Sequence, residues 1–326
     1  MRSPLLSIIT PTYNCGTYIH RLLNSILQQT YDEIEMIVVD DGSTDNTKEI
    51  IYGYMPKFRN RGYSIKYLWQ ENQGQSVAIN HALKLIKGEY LTWPDADDWY
   101  KTDDALERLI EMLEKSDKSI GMIRCEVELV DEATYKANGH LKPHINHYRT
   151  SFDDCFFERN GFWFGAGCYV ARVSSVDKTI SERDIYTEKA AGQNIQIFYP
   201  ILYSYDCITI NVPLYCILSR MESHSRKKRS LTEQADRLRV YARTRLNTLE
   251  RIGQMPKEEK MKYRKYTLLM YRNDILHMYI SDRNLAKAKE FIKIIKKDCV
   301  PVPWKYRLAV FLMTIKDIVY RDDKKK

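Results

Sequence analysis

The sequence predicts an α/β fold: a mixed, mostly parallel, doubly wound sheet with helices on both faces, followed by a helical, basic C-terminal region. Three observations carry this. Apolar runs of strand length alternate with helix-periodic segments over roughly the first 100 residues. Three of the runs end in polar clusters, at residues 10–14, 40–43 and 95–98. The charge also changes sign along the chain: residues 221–326 hold 28 Lys+Arg against 13 Asp+Glu, a balance of +15, and the first 220 hold 23 against 30, a balance of −7.

Residues 5–9 (LLSII) form a short apolar run closed by Thr10-Pro11-Thr12, the pattern of a buried strand meeting a turn. Over residues 17–29, Tyr18, Leu22, Leu23, Ile26 and Leu27 recur at helical spacing. Residues 34–39 (IEMIVV) are a second buried strand, stopped by the turn-forming DDGSTDN, where residues 43–46 offer N-caps for a helix over 47–54. Residues 64–69 (SIKYLW) alternate like a third strand. GQSVAINHALKLIKG predicts a helix with Gly88 at its C-terminal cap. EYLTW is a fourth strand and delivers the chain into PDADD. Ligands bind at the carboxyl ends of strands in such a sheet, so the three polar clusters are expected on one edge.

Further on, residues 105–113 predict a surface helix and 121–130 (GMIRCEVELV) another strand. Residues 161–173 are rich in Gly and aromatics, suited to a shaped pocket wall, and IQIFYPILY (195–203) leads into apolar segments over 208–218. The loop SRMESHSRKKRS marks a boundary near residue 225, giving domains at 1–225 and 226–326. The second is helical over 231–251, 257–280 and 284–298.

Several classes are disfavoured. The seven cysteines are scattered without a CxxC pair, which argues against a disulfide framework or a zinc knuckle. No apolar run reaches about 18 residues, the length of a membrane-spanning helix. The N-terminal run is too short for a signal peptide, so a cytosolic location is expected. GxGxxG and P-loop motifs are absent, and no nucleic-acid-reading motif accompanies the basic charge, so nucleic acid is not an expected partner.

Three aspartates within PDADD repel one another in a dry setting, and a hard divalent cation such as Mg2+ or Mn2+ would relieve that. The plainer alternative is a solvated acidic turn capping the following helix, a role open to Asp98 in particular. Asp40-Asp41-Gly42-Ser43 is either a turn of Asx type or a carboxylate site for a base or ribose, and Tyr13 is placed to stack on a base.

PTYNCGTYI, VVDDGSTDNT, ENQGQSVAINHAL and PDADDW, in this order and spacing, resemble the nucleotide-sugar-binding half of family 2 glycosyltransferases of GT-A (Rossmann-like) fold, closely over residues 5–130 and more weakly to 225. The resemblance implies inverting transfer from a nucleotide-diphosphate sugar, most often a UDP-sugar, to a bacterial surface-glycan or lipid-linked acceptor at the cytosolic face of the membrane. It implies that Pro11, Thr12 and Tyr13 line the nucleotide pocket, that Asp41 contacts the base, and that Asn72 and Gly74 lie beside the nucleotide. Asp95 would face the ribose and sugar, and Asp97 would ligate the cation. SRMESHSR resembles the loop that closes over the diphosphate in relatives, with His224 as cation ligand or phosphate partner and Arg220 or Arg226 neutralising charge.

One departure stands out. The family's general base comes from an acidic pair opening a helix, and here Gln193-Asn194 occupies that position. Amides are not bases near neutral pH. Either a nearby acid serves, Glu188 first and then Asp184 or Glu182, or the register differs by a turn, or Gln193 and Asn194 bind the acceptor while catalysis rests on positioning. A catalytically silent nucleotide-sugar-binding or scaffold protein is the competing reading. A nucleotidyltransferase is a third, without the Gly-rich basic loop it requires.

The C-terminal stretch KYRLAVFLMTIKDIVYRDDKKK fits a helix lying in an anionic membrane surface, with Trp304 and Tyr306 at the headgroups. Packing of Val310, Phe311, Leu312 and Ile315 on the catalytic domain competes with it.

Overall fold

The structure, a computed structural model, describes residues 3–144, 149–220, 228–297 and 301–323. It divides into two compact units, Met1–Lys227 with Asn247–Met255, and Lys228–Leu246 with Pro256–Lys326.

The first unit begins with the predicted alternation: β1 (Leu6–Thr12), α1 (Ile19–Leu27), β2 (Ile34–Asp40), α2 (Thr47–Asn60), β3 (Ser64–Trp69), α3 (Gln75–Leu83) and β4 (Tyr90–Thr92). These strands lie in the order β3-β2-β1-β4, all parallel, so their carboxyl ends share one edge. Every residue of β1, β2 and β4 is buried, which is why each reads as an unbroken apolar run, whereas edge strand β3 is partly exposed. Ile19, Leu22, Leu23 and Ile26 form the buried face of α1.

Two local expectations are corrected. α2 does not stop at residue 54 but runs through Pro56 to Asn60, because Phe58 is fully buried beyond the proline and packs its ring on Tyr63. Gly88 is not a helix cap, since α3 ends at Leu83 with Lys84 as its C-cap. Its amide donates to Ser7 Oγ, and a Cβ there would meet the Leu5 carbonyl at 2.6 Å. Gly88 therefore admits the crossing of β1.

The chain continues through β5 (Trp99–Tyr100), α4 (Ala105–Lys115), β6 (Ile120–Asp131), β7 (Ala137–Leu141), β8 (Arg149–Thr150), α5 (Phe152–Phe156), β9 (Tyr169–Arg172), α6 (Val173–Thr179), a 3-10 turn at Ser181–Arg183, α7 (Asn194–Ser204) and β10 (Asp206–Ser219). The sheet extends from β4 as β9-β6-β10-β5, with β9 antiparallel to both neighbours and β10 parallel to β6. Of the Gly- and aromatic-rich stretch only β9 is strand. Gly167 precedes it, where a Cβ would fall 2.5 Å from Tyr215 Oη and 2.6 Å from Pro94.

α8 (Leu231–Arg251) contributes residues to both units. The second unit also holds α9 (Lys257–Ser281), α10 (Leu285–Lys297) and α11 (Trp304–Asp323). Its core includes Ala235, Leu276, Ala288, Ile295 and Val310.

Candidate active site

The tips of β1 and β2 are knitted together. Thr12 pairs with Asp40 in register, the Asn14 amide donates to Ser43 Oγ at 2.8 Å, and Thr44 N donates to Asn14 Oδ1 at 2.8 Å. Pro11 and Thr12 are buried, leaving Tyr13 half exposed at the edge. Asp41 is buried and accepts from Gln70 Nε2 at 2.7 Å, Gln73 N at 2.9 Å and Gly74 N at 2.9 Å. It thereby fixes the loop that presents exposed Asn72. Gly74 has φ 100°, and a Cβ there would meet the Lys189 carbonyl at 2.9 Å, so only glycine fits this joint.

β4 feeds Trp93, Pro94 and the acidic turn. Asp95 Oδ1 accepts from Gln75 Nε2 at 3.1 Å, and the Gln193 amide also bonds this carboxyl. Burial and then the Asp97 charge push Asp95 up to about 7. Asp97 is paired with Arg220 at 2.6 Å, and that guanidinium lies 4.5 Å over the Tyr18 ring. Asp98 is neither exposed nor a helix cap, a role taken at α4 by Asp104. It is buried, raised well above the usual carboxylate range by desolvation and by Asp97 and Asp95, and accepts from Leu218 N at 2.9 Å. It ties the acidic turn to β10 just before Arg220.

These groups fit a hard divalent cation. Asp97 faces the Arg220 guanidinium, and Asp95, raised first by burial and then by the Asp97 charge, stands beside it. Among the described residues no group of three His, Cys, Asp or Glu is placed to hold a metal ion. His224 and Arg226 lie outside the described residues.

Gln193 and Asn194 open α7 beside this turn. Asn194 Oδ1 accepts from Trp93 Nε1 at 3.0 Å, and its Nδ2 donates to the Phe164 carbonyl at 2.7 Å. A carboxylate here would face that carbonyl without a proton between them, so the clamp requires an amide. The preceding loop is held by α3. Asn80 bonds both backbone groups of Ile185, and Ser76 Oγ donates to the Ala191 carbonyl. Within it, half-buried Glu188 accepts from Tyr186 Oη at 2.9 Å. Asp184 is shared among Asn80 at 3.0 Å, Arg251 at 3.2 Å and Lys84 at 3.8 Å. With exposed Glu182 it lines a cavity of about 370 Å3 beside α7.

Gln75, Asn80, Tyr18 and Arg124 were not singled out from the sequence. Arg124 is buried and donates to Thr209, Tyr169 and Thr150 while its guanidinium lies 3.7 Å from the Trp163 ring centre, so it props the aromatic wall. The sequence offers only a weak signal for it, since the strand-like run 121–130 also holds Glu126 and Glu128.

The sheet is that of the GT-A fold. Residues 1–349 of S. aureus TarS in complex with UDP-GlcNAc superpose with a TM-score of 0.60 at 20% identity, covering 81% of this chain and 72% of that one. The mannosyltransferase PcManGT of Pyrobaculum calidifontis, in complex with GDP-Man and Mn2+, gives 0.55 at 16% identity over 98% of this chain and 88% of that one. The putative teichuronic acid biosynthesis glycosyltransferase TuaG of Bacillus subtilis strain 168 is 42% identical over 113 residues, 35% of this chain and 44% of TuaG. Such matches span less than half the length of these curated relatives. The glycosyl transferase family 2 profile matches residues 7–178, more than half of the chain, and the chain belongs to that family.

Proposed function

We propose that the protein is an inverting glycosyltransferase that moves a sugar from a nucleotide-diphosphate sugar, a UDP-sugar in the simplest case, to a hydroxyl of a bacterial surface glycan or lipid-linked glycan. The observation that carries this reading is the Asp95–Asp97 pair with Arg220 against Asp97, at the sheet edge that also carries Pro11, Thr12, Tyr13, Asp41, Asn72 and Gly74. The complexes of TarS with UDP-GlcNAc and of PcManGT with GDP-Man and Mn2+ support the donor class, and TuaG supports the glycan setting.

In this reading Tyr13 stacks on the base and Asp95, steadied by Gln75 and Gln193, faces the ribose and sugar. Asp97 would hold Mn2+ or Mg2+, and the cation would supply Lewis acidity to the departing diphosphate. Arg220 supplies positive charge beside it. Glu188 takes the acceptor hydroxyl proton as the sugar is displaced with inversion. Asp184 already serves two cations, so it ranks below Glu188, with Glu182 after it.

The Asn194 clamp favours a second reading, a nucleotide-sugar-binding protein without transferase chemistry. Calorimetry with a panel of UDP-sugars, with and without Mn2+, combined with donor hydrolysis, separates the two. Metal-dependent binding with hydrolysis supports the transferase; binding without turnover supports the silent reading; neither sinks both. For the base, Glu188→Gln is expected to abolish transfer and spare donor binding, and unchanged turnover removes Glu188 from the role.

A further inference from the structure

The second unit carries an apolar surface that its own core does not use. On α11, Val310 is buried with Ile275 and Leu276, and Tyr306 packs against the same core, its ring 6.1 Å from that of His277. Tyr306 thus faces inward, contrary to the sequence expectation that it meets headgroups. The opposite side of the helix is exposed: Trp304 by 76%, Leu308 by 46%, Phe311 by 60%, Leu312 by 50% and Ile315 by 42%. At 3.6 residues per turn these five fall within a strip about 100° wide. Exposed Lys305 and Lys316 border the strip on one side and exposed Arg307 on the other. The helix therefore has two apolar faces, and packing within the unit accounts for one.

We propose that the outer face of α11 docks on an anionic lipid bilayer, with the helix lying in the plane of the interface. Charge selects this occupant, since basic side chains flank the strip and residues 221–326 carry a balance of +15. Trp304, in the first turn, has the apolar body and N–H tip that suit the headgroup boundary. Leu308, Phe311, Leu312 and Ile315 enter the acyl margin, while Lys305, Lys316 and Arg307 stretch their stems back to lipid phosphate. Among the described residues no helix is long and apolar enough to cross a membrane, and an in-plane helix needs no such length.

The test is sedimentation of the full chain with phosphatidylcholine vesicles, with and without phosphatidylglycerol. The wild type is expected to partition to the anionic vesicles and less to the neutral ones. The double substitution Trp304→Ala, Phe311→Ala is expected to lower the partition coefficient at least about tenfold without changing the melting temperature. Lys305→Glu with Lys316→Glu is expected to erase the preference for phosphatidylglycerol. Equal partitioning of the wild type to both vesicles, or a double variant that binds like the wild type, overturns the proposal. So does lipid-free self-association that the same substitutions disperse, which would give the face to a second copy of the chain. Donor binding by these variants is expected to match the wild type, so this outcome and the fate of the transferase reading are separable.

Discussion

The acidic tips of β2 and β4 look alike in the sequence and differ in what surrounds them. Asp41 receives three N–H donors, two of them backbone, and its charge is committed to residues 70–74. Asp95 and Asp97 stand next to each other with side-chain amides and one guanidinium as partners, and Asp95 is driven up to about 7. The difference lies in the donors supplied to each carboxylate, not in the number of carboxylates. An acid supplied with backbone N–H groups has its charge met by the fold. One set beside another acid leans on a counter-charge, which Arg220 supplies to Asp97.

The sharpest way to break this contrast is Asp97→Ala. Metal-dependent donor turnover is expected to fall at least about 100-fold, with a modest loss of thermal stability because Arg220 loses its partner at 2.6 Å. A matching loss in the melting curve would make Asp97 structural as well. Next in size, Asp41→Ala leaves three donors without their acceptor and is expected to cost about 2–4 kcal/mol of stability in urea unfolding. Weak donor binding in a variant of unchanged stability would instead make Asp41 a direct nucleotide contact. The smallest effect is expected for Gln75→Ala, which removes one amide from Asp95. Donor affinity should drop by roughly two- to tenfold, the worth of one ordinary hydrogen bond, and calorimetry at fixed Mn2+ reads it.

The parallel half of the sheet was legible because burial on both faces writes β1, β2 and β4 as unbroken apolar runs. The place of the acidic turn at the end of β4 was legible too, since PDADD directly follows such a run. What escaped depends on partners distant in sequence. Asn194 reads as a lost acid until Trp93 and the Phe164 carbonyl, 101 and 30 residues away, are seen to clamp it. Gly88 looks like a cap because its reason, the close passage of Leu5 and Ser7, is a contact between strands. Asp98 reads as a helix cap, and its bond to Leu218 spans 120 residues. Local rules describe strands and turns well, but such long bonds follow no period.

That last bond bears on the order in which the protein is made. The acidic turn appears early in synthesis, yet the strand that anchors it and the arginine that faces it come more than a hundred residues later. A nascent chain that has emerged only through β9 holds the nucleotide edge and the aspartates without their anchor or their counter-ion. The acidic turn is therefore completed at the close of the first unit's sheet, and a truncated product ending before residue 218 would carry the recognisable motifs without that anchor.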